Sequence, residues 1–179
     1  MKVALVGMMA SGKTTLGKEL ARILGVPFID SDHEMIARSG MPVAEYFARN
    51  GEAAFRKMER ETIGRLLDGD GALVMSLGGG AYTQEEIRAM LARKARAVFL
   101  HVDAEEIIRR LEGTDISRRP LLAACADWRL RVPELLAERK KLYAEAEIRF
   151  DANRHDPEGL ALELSELLRL ETPGERSGE

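Results

Sequence analysis

A glycine-rich segment near the start of the chain is the first feature whose residue types and spacing can do chemistry. Residues 7–14 read GMMASGKT and fit the pattern G-x-x-x-x-G-K-[ST] without a gap. Small residues let such a loop curl so that successive backbone N–H groups point at a phosphate. Lys13 adds a point charge for the outer phosphates, and the Thr14 hydroxyl is a hard oxygen ligand for magnesium. The segment therefore predicts a nucleotide-phosphate site.

The surroundings of this loop distinguish it from a chance glycine-rich turn. An apolar run over 2–6 precedes it and a strong helical pattern over 14–24 follows it, as a phosphate loop requires. Regulatory GTPases share the loop, and residues 68–71 (DGDG) match a switch-like D-x-x-G. No N-K-x-D segment for reading guanine occurs in the sequence, so we interpret 68–71 as a turn.

Two aspartates flank Ser31 where the second predicted strand ends. Ligands in open parallel sheets bind beyond the carboxyl ends of the strands. Asp30 can hold a magnesium-bound water and complement Thr14, and Asp32 can accept a hydrogen bond from an alcohol that attacks a phosphoryl group. The alternative is that Asp32 or Ser31 caps the next helix, with Glu34 completing a capping box. One carboxylate can serve both purposes.

Charged side chains fall on helix faces that should be buried. In the helix predicted over 52–67, Arg56 and Glu59 point near the apolar face, and in the helix predicted over 133–146, Arg139 lies on the leucine stripe. A buried arginine is costly unless it is paired. Two interpretations stay open: the arginines snorkel or pair with an acid such as Glu59, or they converge on an anionic substrate.

Two further segments offer groups to a ligand. Gly78, Gly79 and Gly80 close the third predicted strand, and glycines let a ligand approach the backbone closely, although a flexible turn is the alternative. Arg119 stands in a polar, arginine-rich loop over 113–122, which we expect to become ordered only when a ligand binds.

These residues must be positioned by alternating strands and helices. The predicted strands cover 2–6, 28–30, 72–77, 97–102 and 148–150. The predicted helices cover 14–24, 32–38, 43–49, 52–67, 133–146 and 157–170, and two more open at capping boxes over 83–86 and 103–106. Strands separated by helices predict an α/β fold whose parallel sheet is covered on both faces.

Composition and charge exclude several classes of function. The chain has 179 residues, of which 45% are hydrophobic and 32% charged, as in ordinary globular proteins. That length predicts a single domain over 1–170, and the polar tail over 171–179 is expected to be disordered. The formal net charge of −3 excludes a broad electrostatic hold on nucleic acid or on an anionic membrane.

Cysteine usage and hydropathy bear on the compartment. Cys125 is the single cysteine, which excludes an internal disulfide and a multi-thiolate metal site and fits a reducing cytosol. No apolar run reaches the roughly 18 residues of a membrane span, and the apolar run at the start of the chain is too short for a secretory signal. We therefore expect a cytoplasmic protein with no membrane partner.

The ordered set of segments resembles the shikimate kinase family over nearly the whole chain, from about residue 2 to 170. The segments that carry the resemblance are residues 7–15 (GMMASGKTT), 28–32 (FIDSD), 51–59 (GEAAFRKME), 76–81 (SLGGGA), 119–122 (RPLL) and 138–143 (ERKKLY). The phosphate loop alone is unspecific, whereas the D-x-D, the F-R-x-x-E and the G-G-G together are highly specific.

The resemblance implies a fold and a reaction. The fold is a three-layer P-loop α/β fold with a five-stranded parallel sheet flanked by helices, similar to nucleoside monophosphate kinases. It carries a substrate-binding subdomain at about 31–61 and a lid at about 113–124. The reaction moves the γ-phosphate of ATP to the 3-hydroxyl of shikimate with Mg²⁺, giving shikimate 3-phosphate and ADP on the route to chorismate and aromatic amino acids.

The resemblance also implies roles for individual residues of a monomer that binds shikimate and ATP. Catalysis falls to Asp32, Lys13 and Arg119. Shikimate binding falls to Asp32, Arg56, Gly78, Gly79, Gly80 and Arg139. ATP binding falls to Gly7, Ser11, Gly12, Lys13, Thr14, Thr15, Arg110, Arg119, Asn153 and Arg154. Magnesium is held by Thr14 and, through water, by Asp30.

The chain departs from the usual family pattern at three places. Ala10 stands where glycine is common, the stretch between Arg110 and Arg119 is longer than in compact members, and Tyr82 replaces an aliphatic residue, which predicts an altered substrate wall. Two alternatives remain: another small-molecule P-loop kinase, for instance one acting on gluconate, and a catalytically silent nucleotide-binding module that signals through its lid.

Overall fold

The computed structural model describes residues 1–170, without the side chains of Arg118, Pro120 and Leu170; the tail predicted over 171–179 lies outside the described residues. Five parallel strands form one sheet in the order β2-β3-β1-β4-β5. They are β1 (Lys2–Val6), β2 (Phe28–Asp30), β3 (Leu73–Ser76), β4 (Arg96–His101) and β5 (Ile148–Asp151). The predicted five-stranded parallel sheet is confirmed.

Eight helices and two short 3₁₀ turns accompany the strands in the described part of the chain, and α8 follows the last strand. They are α1 (Lys13–Leu24), α2 (Ser31–Ser39), α3 (Val43–Asp68), α4 (Glu85–Lys94), α5 (Ala104–Leu111), α6 (Pro120–Ala123), α7 (Trp128–Tyr143) and α8 (Pro157–Leu170), with 3₁₀ turns at Ala81–Thr83 and Ile116–Arg118. Within residues 1–170, no helix is both long enough and apolar enough to cross a membrane.

The centre of the sheet forms because its strands are apolar on both faces. Every residue of β3 is buried, as are four of the five residues of β1, which is the pattern of strands covered by helices on two sides. The largest core cluster joins these strands to the inward faces of the surrounding helices. A second, smaller cluster of Met35, Phe55 and Met58 lies between α2 and α3. The α2–α3 region therefore has a core of its own.

Because the strands are parallel, the candidate site residues that follow them lie at one edge of the sheet. In a parallel sheet all carboxyl ends lie at the same edge. The phosphate loop follows β1, Asp30 ends β2, and the three glycines follow β3, which pairs with both β1 and β2. The order of the strands alone thus brings these three segments together.

The two capping boxes predicted over 83–86 and 103–106 are wrong. Thr83 lies in a 3₁₀ turn and donates its hydroxyl to the Gly80 carbonyl at 2.7 Å, while α4 begins after Gln84 without a side-chain cap. Asp103 is the N-cap residue of α5, but its side chain makes no capping hydrogen bond. Glu106 instead binds arginines of its own helix, so tertiary and local ion pairs take the place of the box.

Two helix boundaries differ from the predicted ones in instructive ways. Helix α7 begins at Trp128 rather than 133, because the Asp127 carboxylate accepts the Arg129 N–H at 3.0 Å and caps the helix; Pro133 is therefore interior. The helices predicted over 43–49 and 52–67 are contiguous as α3, but Gly51 has φ 78° and ψ 172° and breaks the helical geometry where the break was predicted.

Candidate active site

The phosphate loop owes its curl to three residues with positive φ. Gly7 has φ 146°, Gly12 has φ 91°, and Ala10, which stands at the position where glycine is common in the family, has φ 58°. A Cβ on Gly7 would lie 2.9 Å from the Leu100 carbonyl oxygen, so this position excludes any side chain. Ala10 adopts a left-handed conformation that L-residues avoid, which stores some strain in the loop.

Lys13 lies buried inside this loop. Its ammonium donates to the carbonyl oxygens of Gly7 at 3.0 Å and Met8 at 2.7 Å. Burial lowers the pKa of Lys13 to about 8, although Asp32 and Asp30 oppose the shift. The positive charge therefore sits at the centre of the loop, and an arriving phosphate would compete with two carbonyls for it.

Thr14 and Asp30 meet beside the loop. The Thr14 hydroxyl donates to Asp30 Oδ2 at 2.9 Å, while Asp30 Oδ1 accepts the backbone N–H groups of Asp32 at 3.0 Å and His33 at 3.4 Å. Asp30 is therefore the cap of α2, not Asp32 or Ser31 as the alternative prediction had it. Two hard oxygens fixed side by side are ligands of the type that magnesium prefers.

Ser31 and Asp32 are consequently free for other contacts. Ser31 is buried, and its hydroxyl accepts the Gly78 N–H at 3.1 Å, which ties α2 to the glycine segment. A Cβ on Gly78 would lie 2.8 Å from Asp32 Oδ1, so the carboxylate approaches the backbone as only glycine permits. Burial, followed by the neighbouring charge of Asp30, raises the pKa of Asp32. That shift makes it a stronger proton acceptor than an exposed aspartate.

The predicted pairing of Arg56 with Glu59 exists, and Arg56 also lines a cavity. Arg56 Nη1 lies 2.7 Å from Glu59 Oε2, and a Cβ on Gly80 would lie 3.0 Å from Arg56 Nη2. Glu59 is 1% exposed, and burial raises its pKa to about 7 although Arg56 opposes the shift. The two interpretations of this arginine are therefore compatible: it is paired on one side and faces a cavity on the other.

Arg139 is buried on the apolar stripe of α7, as its position in the sequence predicts. Its guanidinium donates to the Gly79 carbonyl oxygen at 2.8 Å, and the Tyr143 hydroxyl donates to the same oxygen at 3.1 Å. Tyr143 is held in turn by stacking on Phe99 with ring centroids 4.6 Å apart. Within residues 1–170 Arg139 makes no ion pair: its charge and that of Glu59 interact, but Glu59 is paired with Arg56. The charge of Arg139 is therefore available to an anion.

Two adjoining cavities share one set of residues. The first, of about 300 Å³, lies between the charged side chains Asp32, Arg56 and Arg139 and an apolar wall that includes Phe47 and Phe55. The second, of about 310 Å³, lies over the phosphate loop and contains Lys13, Thr14, Thr15 and Asp30. The residues common to both are Met9, Asp32, Gly78, Gly79 and Arg119. A group transferred between the cavities would pass Asp32.

A third cavity, of about 390 Å³, extends from the phosphate loop toward the start of α8. Arg110 lines it and ties its walls together, donating to the carbonyl oxygens of Ala152 at 2.7 Å and Ala10 at 3.3 Å. Arg154 also lines it. The side chain of Asn153 does not; its Oδ1 accepts the Asp103 N–H at 2.9 Å and holds the loop in place.

His155 lines the same third cavity and was not predicted. Its Nε2 lies 2.6 Å from Glu106 Oε1, a carboxylate that also binds Arg110. The histidine shows no metal-ligand spacing in the sequence, and only the folded chain places it beside the phosphate loop. The predicted site residues Ser11, Gly12 and Thr15 lie on the other wall of this cavity.

Tyr82 does not line the cavity that contains Asp32, Arg56 and Arg139, so it does not alter the wall of that cavity as predicted. It is buried and stacks on Tyr143 with centroids 6.2 Å apart, one layer behind the glycine segment. It borders a larger open cavity of about 600 Å³ lined also by Arg88 and Glu145, which contains none of the predicted site residues. We assign the site to the smaller cavities because the charged and phosphate-binding groups converge there.

The fold and the paired cavities define the class of protein: a P-loop kinase of small molecules. Solved structures below 25% identity show the same fold, among them a gluconokinase from Sinorhizobium meliloti, at 17% identity and a TM-score of 0.56 over 96% of this chain and 97% of that one. A family model described as shikimate kinase matches residues 9–169. The chain belongs to the shikimate kinase family, and the kinase function predicted from the sequence is confirmed.

Individual relatives agree with the family model. A shikimate kinase from Bradyrhizobium diazoefficiens is 40% identical over 177 residues, 99% of this chain and 84% of that protein. One from Mycobacterium avium is 44% identical over 158 residues, 87% of this chain and 86% of that protein. The solved structure of a shikimate kinase from Acinetobacter baumannii in complex with shikimate is 31% identical with a TM-score of 0.89, covering 97% of this chain and 95% of that one.

Proposed function

We propose that the chain transfers the γ-phosphate of ATP to the 3-hydroxyl of shikimate, giving shikimate 3-phosphate and ADP on the route to chorismate and aromatic amino acids. The observation that carries the proposal is the junction of two cavities at Asp32, one lined by the phosphate loop and the other by two arginines. Shikimate is a small carboxylic acid with several hydroxyls, so it needs a cationic end, a hydroxyl acceptor and an apolar wall, all of which the first cavity has.

Shikimate would be oriented by groups at opposite ends of its cavity. Arg56 and Arg139 would bind its carboxylate, because a guanidinium presents parallel donors that match a carboxylate. The ring would rest against Phe55, and the glycine segment would offer backbone N–H groups from Gly79 and Gly80. Asp32 would then meet the hydroxyl that faces the phosphate cavity.

ATP would place its phosphates in the loop between β1 and α1. Backbone N–H groups from Gly12 to Thr15 and the positive end of the α1 dipole favour the anion. Arg110 and Arg154 would flank the adenosine in the third cavity, with Asn153 fixing the adjacent loop. Thr14 and, through water, Asp30 would hold Mg²⁺, which when bound neutralises charge on the β- and γ-phosphate oxygens.

The chemistry asks for positioning and charge neutralisation more than for covalent help. The shikimate oxygen attacks the γ-phosphorus, the bond to the β-γ bridging oxygen breaks, and Asp32 takes the hydroxyl proton. Lys13 and Arg119 would offset the charge on the transferring group. Because burial raises the pKa of Asp32, the proton acceptor is better matched to neutral pH than an exposed carboxylate would be.

Two mobile parts would complete the site. We assign the substrate-binding subdomain to about 31–61, where α2 and α3 share their own apolar cluster, and the lid to about 113–124, which brings Arg119 and Leu121 to the shikimate cavity. Closure of the lid would exclude water, a competing nucleophile. We further propose that the enzyme acts as a monomer and is cytoplasmic, because its single cysteine fits a reducing compartment.

The test is an ADP-release assay with a panel of acceptors: shikimate, gluconate, nucleoside monophosphates and water alone. We expect ADP release that requires shikimate and Mg²⁺, with a product that carries phosphate on the 3-hydroxyl by ³¹P and ¹H NMR. Release driven best by gluconate would favour the related sugar-acid kinase. ADP release at the same rate with every acceptor would reject the assignment. Nucleotide binding without ADP release with any acceptor would also reject it and would favour the silent module.

A further inference from the structure

Gln84 occupies a position that its residue type does not suit. It is the N-cap residue of α4, where Ser, Thr, Asp or Asn would accept an N–H of the first helical turn. Its side chain makes no capping hydrogen bond. When a residue does not suit its local position, it is often retained because its side chain makes a functional contact.

The side chain of Gln84 turns instead toward the floor of the shikimate cavity. Its Nε2 donates to Glu59 Oε2 at 2.6 Å, and its Oε1 accepts from Arg60 Nη1 at 2.6 Å. A guanidinium can only donate and an ionised carboxylate can only accept, so the two neighbours fix which end of the amide faces which. Arg60 thereby makes Gln84 a donor toward Glu59.

Glu59 in turn holds Arg56. The same Oε2 that receives Gln84 lies 2.7 Å from Arg56 Nη1, so both donors converge on one oxygen of a carboxylate that is 1% exposed. The charged groups facing Glu59 are Arg56, Asp32 and Arg139. A buried carboxylate in low dielectric depends strongly on each donor it keeps. Losing one would let Glu59 rotate or take up a proton, and Arg56 would lose its anchor.

We propose that Gln84 is a positioning residue for the shikimate carboxylate: through Glu59 it fixes the Arg56 guanidinium at the cavity. The proposal rests on the proposed function in one respect, that Arg56 binds the substrate carboxylate. Gln84 itself does not line the cavity, so it acts through Glu59 and not by contact.

The discriminating variant is Gln84→Ser. Serine is a better N-cap than glutamine, so α4 keeps or gains stability, but the donor to Glu59 is lost. We expect the KM for shikimate to rise about tenfold, a loss equivalent to one charge-assisted hydrogen bond. We expect kcat to change less than about threefold and the KM for ATP to stay the same. The Tm should change little, because the improved N-cap offsets the hydrogen bonds lost to Glu59 and Arg60. A purely structural role predicts the reverse pattern: an unchanged KM for shikimate with a lower Tm.

Gln84→Glu supplies a second readout. It keeps the length of the side chain but sets a carboxyl group against Glu59, so a donor exists only while the pair retains a proton. We expect the KM for shikimate to be close to that of Gln84→Ser at pH 9 and to recover toward wild type near pH 6. A pH profile parallel to that of the wild type would contradict the inference.

Arg56→Met separates this inference from the proposed function. If Arg56→Met leaves the KM for shikimate unchanged, the carboxylate clamp is wrong and the inference fails with it. If Arg56→Met raises that KM while Gln84→Ser does not, the clamp stands and only the inference is overturned. We expect Gln84→Ser to add nothing in the Arg56→Met background, because the two residues act along one chain of contacts.

Discussion

At the scale of single residues, Asp32 lies where the two cavities of the candidate site meet, with Lys13 and Asp30, the N-cap of α2, beside it. We predict that Asp32→Asn lowers kcat by at least about a hundredfold, because removing a positioned base commonly costs that much. The Kd for ATP should change less than about threefold, since the phosphate loop is untouched. Rapid-quench turnover and calorimetry would measure the two quantities.

A neighbouring residue provides the control for Asp32. His33 is exposed; its backbone N–H binds Asp30, and its side chain has the smallest of the named influences on the pKa of Asp32. His33→Ala should therefore change kcat and the Kd for ATP by less than about threefold. Turnover of Asp32→Asn within a few-fold of wild type would remove Asp32 from its catalytic role.

Lys13 should give the enzyme an alkaline limit. Burial lowers its pKa to about 8, so the ammonium is charged below that pH and loses its charge as the pH rises through it. We predict that kcat/KM for ATP falls above about pH 8 in the free enzyme, whereas kcat, measured at saturating ATP, falls at higher pH because bound phosphates favour the charged form. Coincident alkaline limbs in both profiles would contradict this assignment.

Whether a site residue can be predicted from the sequence depends on how far away its partners lie along the chain. The phosphate loop can be predicted because all its constraints fall within eight consecutive positions. Arg139 can be suspected because a charge on an apolar stripe breaks a helix pattern. Gln84 and His155 cannot, because each meets a partner from another element, Gln84 with Glu59 across 25 positions, and nothing local marks either contact.

At the scale of elements, helix α3 contains two glycines with opposite requirements. Gly51 has φ 78° and ψ 172°, a region that essentially only glycine occupies, although nothing lies within 4 Å of where its Cβ would be. Gly64 is helical, and its Cβ would meet Met90 Sδ at an ordinary 3.6 Å. The same substitution should therefore have opposite signs at the two positions.

We predict that Gly51→Ala lowers the free energy of unfolding by about 1–3 kcal/mol, from backbone strain. Gly64→Ala should raise it by about 0.5–1 kcal/mol, because alanine loses less backbone entropy in a helix. Urea unfolding with an unchanged m value would measure both. Equal effects at the two sites would mean that α3 runs straight through Gly51 in solution.

Element positions were more predictable than element ends. Apolar runs predict β1, β3 and β4 most clearly, because strands buried on both faces leave little ambiguity. The predicted start of α7 is wrong because Pro133 is typical of a first helical turn, whereas the helix begins at the Asp127 cap upstream. The boxes at 83–86 and 103–106 failed because their side chains found better partners in the folded chain.

At the scale of the whole molecule, Arg119 lines all three cavities of the site. It belongs to the segment we assign to the lid, and burial lowers its pKa. Within the described residues it has no ion-pair partner, so its charge is free to act on the transferring phosphate as we propose. An arginine in this place can respond to both substrates at once.

Trp128 offers a readout of that response. It is the single tryptophan, it begins α7 directly after the proposed lid, and Arg129 lies over its ring at 4.6 Å. We predict that ATP and shikimate together change its fluorescence by more than the sum of the separate changes, because closure needs both. Strictly additive changes, measured beside a Trp128→Phe control for inner-filter effects, would argue against closure of this segment.

The central position of β1 affects how rigid the phosphate loop is in the enzyme without substrates. This strand is paired on both sides, with β3 and with β4, and all but its first residue are buried. Its amide protons should therefore be among the last to exchange with deuterium, while those of 113–124 exchange early. The phosphate loop follows directly after β1. The sheet therefore holds the conformation of the loop. We expect the loop to be formed before a nucleotide binds, while residues 113–124 still move.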